Sequence, residues 1–305
     1  STLLNELQQA AKNAHHEFTK LAKLTVSLDH RLNFIVNLLL NSFLLYDIHC
    51  MIALEKWKEK NRIEFNKWIE AVSKIETLGS FATFAFNNPE YCYPKISEHE
   101  TTIQAVQIAH PLIPFKEQKA NDITTGIQEK LLLVTGSNMS GKSTFLRTLG
   151  VNLLLAQCGA PVCAKQFIFS PMKILSSVRI SDSLQEHTSY FMAELIRLRE
   201  IIDQLKTGIP SFVLIDEVLR GTNSDDKTQG SASLILKLIN YNCLSLFATH
   251  DLSLSALEKS TGNKISNYCF ESIIENGELK FDYKLRKGIA TNKNATFLME
   301  KMGII

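Results

Sequence analysis

Three short stretches hold residue types whose spacing can do chemistry. Gly136-Ser137-Asn138-Met139-Ser140-Gly141-Lys142-Ser143-Thr144 satisfies the pattern GxxxxGK[ST]. Glycines let a loop wrap a phosphate with backbone N–H groups, and a helix starting at the end of that loop turns its positive pole to the charge. Lys142 is then placed to reach the β- and γ-phosphates of ATP, and Ser143 to ligate Mg²⁺. Phe212-Val213-Leu214-Ile215-Asp216-Glu217 is an apolar run ending in two carboxylates. Asp216 suits Mg²⁺ coordination and Glu217 suits a general base for the attacking water, while a strand followed by an acidic helix cap is the plainer reading. Ala248-Thr249-His250-Asp251 closes another apolar run, where His250 would sense the γ-phosphate or stand as an ordinary surface or core histidine.

The elements around these residues are what such chemistry needs. Leu131 to Thr135 (LLLVT) predicts a fully buried strand, then a Gly-rich turn, then a helix from Lys142 to about Cys158. FVLI at 212–215 and LSLFA at 244–248 predict two more buried strands. Apolar residues at helical spacing mark a helix over 191–205 and another over 232–239. Short apolar strands alternating with helices are the signature of a mainly parallel α/β sheet. Near the end, segments 268–274 and 279–285 flank Glu275-Asn276-Gly277-Glu278, a strong hairpin signal, and a short helix capped by Asn294 is expected to finish at Gly303. Residues 1–88 hold almost no Gly or Pro and read as about three long helices.

Composition bounds the rest. A 305-residue chain with 45% hydrophobic residues can bury a large core, and a net charge of +2 leaves no global footprint of a nucleic-acid binder. Six cysteines without a paired CxxC arrangement fit reduced thiols, with Cys158 and Cys163 as small packing residues. Leu32 to Tyr46 is apolar at most positions. Asn33, Asn37, Asn41 and Ser42 interrupt it, and no uncharged run reaches the ~18 residues of a spanning helix, so a buried amphipathic helix is expected. The chain opens at Ser1 inside a helical pattern, as a piece of a longer protein would.

The combined motifs resemble the MutS family. GSNMSGKST has that family's Asn-Met before Gly-Lys-Ser-Thr, and DEVLRGTNSDD, LAQCGAPVCA, SDSLQEHTSYFMAEL, the Thr249-His250 pair and Ala109-His110-Pro111 resemble its further stretches. The resemblance implies a P-loop ATPase domain of ABC type with a mixed, mainly parallel sheet over residues 96–305, preceded by a truncated helical lever or core segment over residues 1–95. It implies that Asn138 helps place the nucleophilic water, that Glu217 activates it and that His250 lies near the γ-phosphate. It implies further that Ser189 belongs to a loop entering a partner subunit's nucleotide site, so that two domains close head to tail as a homodimer. Read alone, Ser189 and Phe191 are equally a helix cap and a core residue. Other implications are binding of ATP and ADP, DNA as a partner with other repair proteins, and a cytoplasmic, nucleoid-associated location. Membrane association through segments upstream of Ser1 stays open.

Departures narrow the resemblance. The LSGGQ signature of transporter-type ABC ATPases is absent. The family's mismatch reader uses Phe-x-Glu in an N-terminal domain, and the triplet Phe115-Lys116-Glu117 falls between the His-Pro and the phosphate loop, where coincidence explains it. Lysines of the first 90 residues are interspersed with acids, as on a solvated helix face.

Overall fold

The computed structural model describes residues 2–29, 33–98, 101–126, 128–178, 190–219, 223–275 and 278–291. They fall into two compact units, Ser1–Phe86 and Asn87–Ile305. The expected helix at 294–303, the Asn276-Gly277 turn and Ser189 lie outside the described residues.

The first unit has four helices rather than about three: α1 (Thr2–Ala10), α2 (Ala14–Asp29), α3 (Phe34–Leu44) and α4 (Tyr46–Asn87). The apolar run around residue 45 looks continuous in sequence, yet Leu45 takes φ 47° and the Asn41 side chain accepts from Asp47 N at 2.8 Å, closing one helix and opening the next. Across that break α3 and α4 bend by 79°. Among the described residues no single helix is long and apolar enough to cross a membrane, although this bent pair passes the same test together. At 1.5 Å per residue the 42-residue α4 runs about 63 Å. Ion pairs one turn apart, Lys58–Glu55, Lys67–Glu64 and Lys74–Glu70, line its exposed side. Its buried face carries Trp57, Asn61, Trp68 and Ala71. Glu17 of α2 is buried there, held by Lys60 at 2.8 Å and Asn61 at 3.1 Å, while its carbonyl accepts from the Trp57 indole.

The second unit is α/β. In chain order its strands are β1 (Lys95–Ile96), β2 (Ile103–Ile108), β3 (Asn121–Thr125), β4 (Leu131–Thr135), β5 (Gln166–Phe169), β6 (Lys173–Ser177), β7 (Ser211–Asp216), β8 (Cys243–Thr249), β9 (Ile265–Glu275) and β10 (Glu278–Lys287). Its main helices are α5 (Lys142–Gln157), α6 (Tyr190–Leu205) and α7 (Ser224–Leu238), with a short α8 (Leu257–Ser260). The main sheet runs β10-β9-β4-β8-β7-β6, parallel except for the β9–β10 hairpin. A second, four-stranded sheet, β1-β5-β2-β3, is mostly antiparallel.

Strand β4 is apolar throughout because both of its faces are covered. Leu132 and Val134 pack on the side of Phe145, Leu146, Leu149 and Leu153 from α5. Leu131 and Leu133 pack with Ile201 and Leu205 of α6 and Ile235 and Leu238 of α7. Register then aligns the strand ends: Thr135 lies opposite Thr249, and Asp216 opposite Ala248. Residues 136, 217 and 250 thus follow three neighbouring strands at one edge of the sheet.

Candidate functional site

The loop from Gly136 to Gly141 makes the turn from β4 into α5. It needs unusual backbone at three positions: Gly136 at φ 150°, Met139 at φ 67° and Gly141 at φ 108°. A Cβ on Gly136 would stand 2.7 Å from both the Phe270 carbonyl oxygen and Ser140 Oγ, so only glycine fits there. Lys142, 5% exposed, points back into the curl, donating to the Gly136 carbonyl at 2.7 Å and the Ser137 carbonyl at 2.8 Å. Ser140 Oγ is buried in the same curl without a hydrogen-bond partner. Asn138 and Met139 are exposed at the loop's outer rim, Ser143 and Thr144 sit in the first turn of α5, and Ser143 is half-buried.

A cavity of about 770 Å³ opens over this loop. Asn138 to Thr144 line it with Glu217 and Phe270, Tyr283 lies against Gly141 of the loop, and a further wall comes from His110, Leu112 to Pro114, Glu117 and Gln118. The volume lies within the usual range for small-molecule sites. Burial and, behind it, the Arg147 charge hold the His110 imidazole below its usual pKa.

Asp216 is buried at the end of β7, and Glu217 follows at φ 50°, its N–H donating to the Ala248 carbonyl. His250 does not line the cavity but reaches Glu217: its Nδ1 is 2.9 Å from Oε1, and its Nε2 is 3.4 Å from Lys227 Nζ on α7. Met139, Glu217 and Tyr283 are three of the seven non-glycine residues with positive φ among those described, and all three line the cavity. Such conformations cost of order 1–3 kcal/mol each and collect at working sites.

Several participants have no motif. Tyr283 sits at φ 55° in a bulge of β10, with Asn121 donating to its carbonyl at 3.1 Å and accepting from Leu285 N at 2.7 Å. Glu194 of α6, 1% exposed, accepts from Leu219 N at 2.9 Å and so fixes the backbone two residues beyond Glu217. One sequence signal pointed to Glu194: it is a carboxylate on the apolar face marked by Phe191, Leu195 and Leu198. Nothing in sequence pointed to Tyr283, Lys227 or Gln118. Among the described residues no cluster of His, Cys, Asp and Glu forms a metal site by itself, and the six cysteines are free.

A strand, a glycine loop curled around a buried lysine, a helix start and, two strands away in the same sheet, a strand ending in two carboxylates come together in an α/β domain. Residues 132–302 match the family model for MutS domain V. The DNA mismatch repair protein MutS of Listeria monocytogenes serotype 4b is 32% identical over 76% of this chain, and that of Chlorobium phaeovibrioides is 33% identical over 73%. The same protein of a Geobacillus species is 30% identical over 72%. The chain belongs to the MutS family. It spans about a quarter of the length of these curated relatives, 27% of the Listeria protein and 26% of the other two.

Proposed function

We propose that this chain carries the ATP-hydrolysing P-loop domain of a MutS-type DNA repair protein. One observation carries the reading: residues Asn138–Thr144 of the loop and Glu217, distant in sequence, line a single cavity. The unpartnered Ser140 Oγ and the close fit around Gly136 suit a cradle for phosphate oxygens. Backbone N–H groups of the loop and the α5 N-terminus would bind the phosphates, with Lys142 neutralising their charge. Ser143 and Asp216 would hold Mg²⁺, which supplies further charge neutralisation. Asn138 at the rim would place the water and Glu217 would accept its proton, while His250 orients that carboxylate. Leu112, Ile113, Pro114 and Tyr283 offer the apolar and aromatic surface that an adenine needs.

In the complete protein this reading places Ser189 in the partner's nucleotide site, makes a homodimer the working unit and lets the 1–95 segment pass nucleotide state to DNA. Lys142→Ala tests the first step. Equilibrium titration with a fluorescent ATP analogue should show micromolar-range binding by the parent and none by the variant; equal binding sinks the assignment. Homoduplex, mismatched and branched DNA should bind with affinities that fall as salt rises, because phosphate contacts release counterions.

A second reading rests on the other unit. Ile35, Leu38, Leu39 and Phe43 are exposed on α3, which has no charged residue. They favour a nucleotide-gated scaffold associated with a membrane, without mismatch recognition. Binding to lipid vesicles together with a flat, DNA-independent ATPase response would support this reading over the first.

A further inference from the structure

The wall facing the phosphate loop is thin. Residues 112–114 line the main cavity on one side, and on the other they line a second cavity of about 330 Å³ shared with Asn87 to Tyr91. Leu112 and Phe115 are 84% and 72% exposed, so packing does little to fix this segment. Beyond the turn's own bonds, from Ile113 N to the His110 carbonyl at 3.0 Å and from Leu112 N to His110 Nδ1 at 3.2 Å, what holds it is Gln118. Its Nε2 donates to the Ile113 carbonyl at 2.8 Å and the His110 carbonyl at 3.3 Å, tying both ends of the turn to one amide, and its Oε1 accepts from Cys163 Sγ at 3.6 Å. Cys163 is itself anchored. Its N–H donates to Asn152 Oδ1 at 2.7 Å, its carbonyl accepts from Ala109 N at 2.9 Å, and Asn152 Nδ2 donates to the Ala109 carbonyl at 3.0 Å. Asn152 belongs to α5, the helix that begins at the phosphate loop. A chain of hydrogen bonds therefore sets the wall relative to the phosphate cradle.

We propose that Gln118 is a positioning residue that holds the His110–Pro114 wall at the distance a nucleoside requires, so that it governs the grip on base and ribose and not on the phosphates. This rests on the ATP-site reading above. Without the amide, the Ile113 carbonyl loses its donor, the His110 carbonyl keeps only the Ile113 N–H, and the turn can drift towards either cavity. The phosphate loop, built from β4 and α5, stays in place.

The test compares ATP with inorganic tripolyphosphate, which has the same charged tail and no nucleoside. Gln118→Met keeps the length and approximate volume of the side chain and removes its donors. In calorimetric titrations the variant is expected to bind ATP about tenfold more weakly, as for the loss of one to two net hydrogen bonds, and tripolyphosphate within about twofold of the parent. KM for ATP should rise by the same factor while kcat changes less than about twofold. Equal weakening of both ligands, or unchanged ATP affinity, overturns the proposal. So does a parent chain that binds tripolyphosphate as tightly as ATP. A parent that binds neither refutes the ATP-site reading itself. Cys163→Ala, which removes the thiol's bonds to Gln118 and Tyr91, should shift ATP affinity in the same direction by less and leave tripolyphosphate unchanged; no shift in ATP affinity counts against the proposal.

Discussion

His250 Nδ1 lies 2.9 Å from Glu217 Oε1, joining the ends of two adjacent parallel strands beside the cavity that Glu217 lines. On the far side of the ring, Lys227 Nζ faces Nε2 at 3.4 Å. With the ring hydrogen on Nδ1 the imidazole donates to the carboxylate, and Nε2 is then the acceptor for the ammonium. That arrangement holds one Glu217 oxygen in place. Glu217→Gln is expected to retain ATP binding and slow single-turnover hydrolysis by about 10²-fold, with His250→Ala costing about tenfold. Unchanged single-turnover rates in a folded Glu217→Gln protein would remove Glu217 from the role of base.

Gly136→Ala would force a Cβ to within 2.7 Å of the Phe270 carbonyl oxygen at φ 150°. The loop must shift, so stability should fall by about 1–3 kcal/mol and ATP affinity by more than about tenfold. Thermal melts with and without ATP read both; full ATP-induced stabilisation of the variant would contradict the close fit.

Asn152 is fully buried and makes three hydrogen bonds with Ala109, Thr148 and Cys163. Asn152→Leu strands the Cys163 N–H and leaves the Ala109 carbonyl without its side-chain donor. Urea titration should show a loss of about 3 kcal/mol with an unchanged slope.

Asp282 braces the bulge that presents Tyr283, through an ion pair with Arg286 and a bond from Lys284 N at 3.0 Å. The Arg286 guanidinium holds the Asp282 carboxyl below the usual carboxylate range. A depressed folded-state pKa adds stability that is fully present above the unfolded value near 4 and is lost as pH falls through the lower folded value. The melting-temperature gap between the parent and Asp282→Asn should therefore be widest at neutral pH and close on acidification below about pH 4; a gap that grows towards acid would contradict the assignment.

The central strands were legible because burial on both faces leaves an unbroken apolar signature. Leu131–Thr135 has the bounds its composition predicts, and 212–215 and 244–248 each extend by one residue at either end as Ser211–Asp216 and Cys243–Thr249. The second sheet was not legible. Its strands β2 and β5 pair across more than fifty residues, and Ile103–Ile108 interrupts its alternation with a bulge beside Gln107 at φ 52°. For the same reason the phosphate loop and carboxylate pair could be found as local patterns, whereas Tyr283, Lys227 and Gln118 enter the site through a bulge, a helix face and a turn that only the assembled fold places.

The level ending of β4, β8 and β7 also has a kinetic side. Strand β4 pairs with neither of its neighbours in sequence: it lies between β8 and β9, whereas β7 and β8 pair directly. Gly136 therefore cannot approach Glu217 and His250 until the β4–β8 pairing, which spans more than a hundred residues, has closed, and such contacts form slowly. ATP binding should then appear only in the last phase of refolding, so that a chain stalled midway or truncated before residue 243 is devoid of even weak nucleotide affinity.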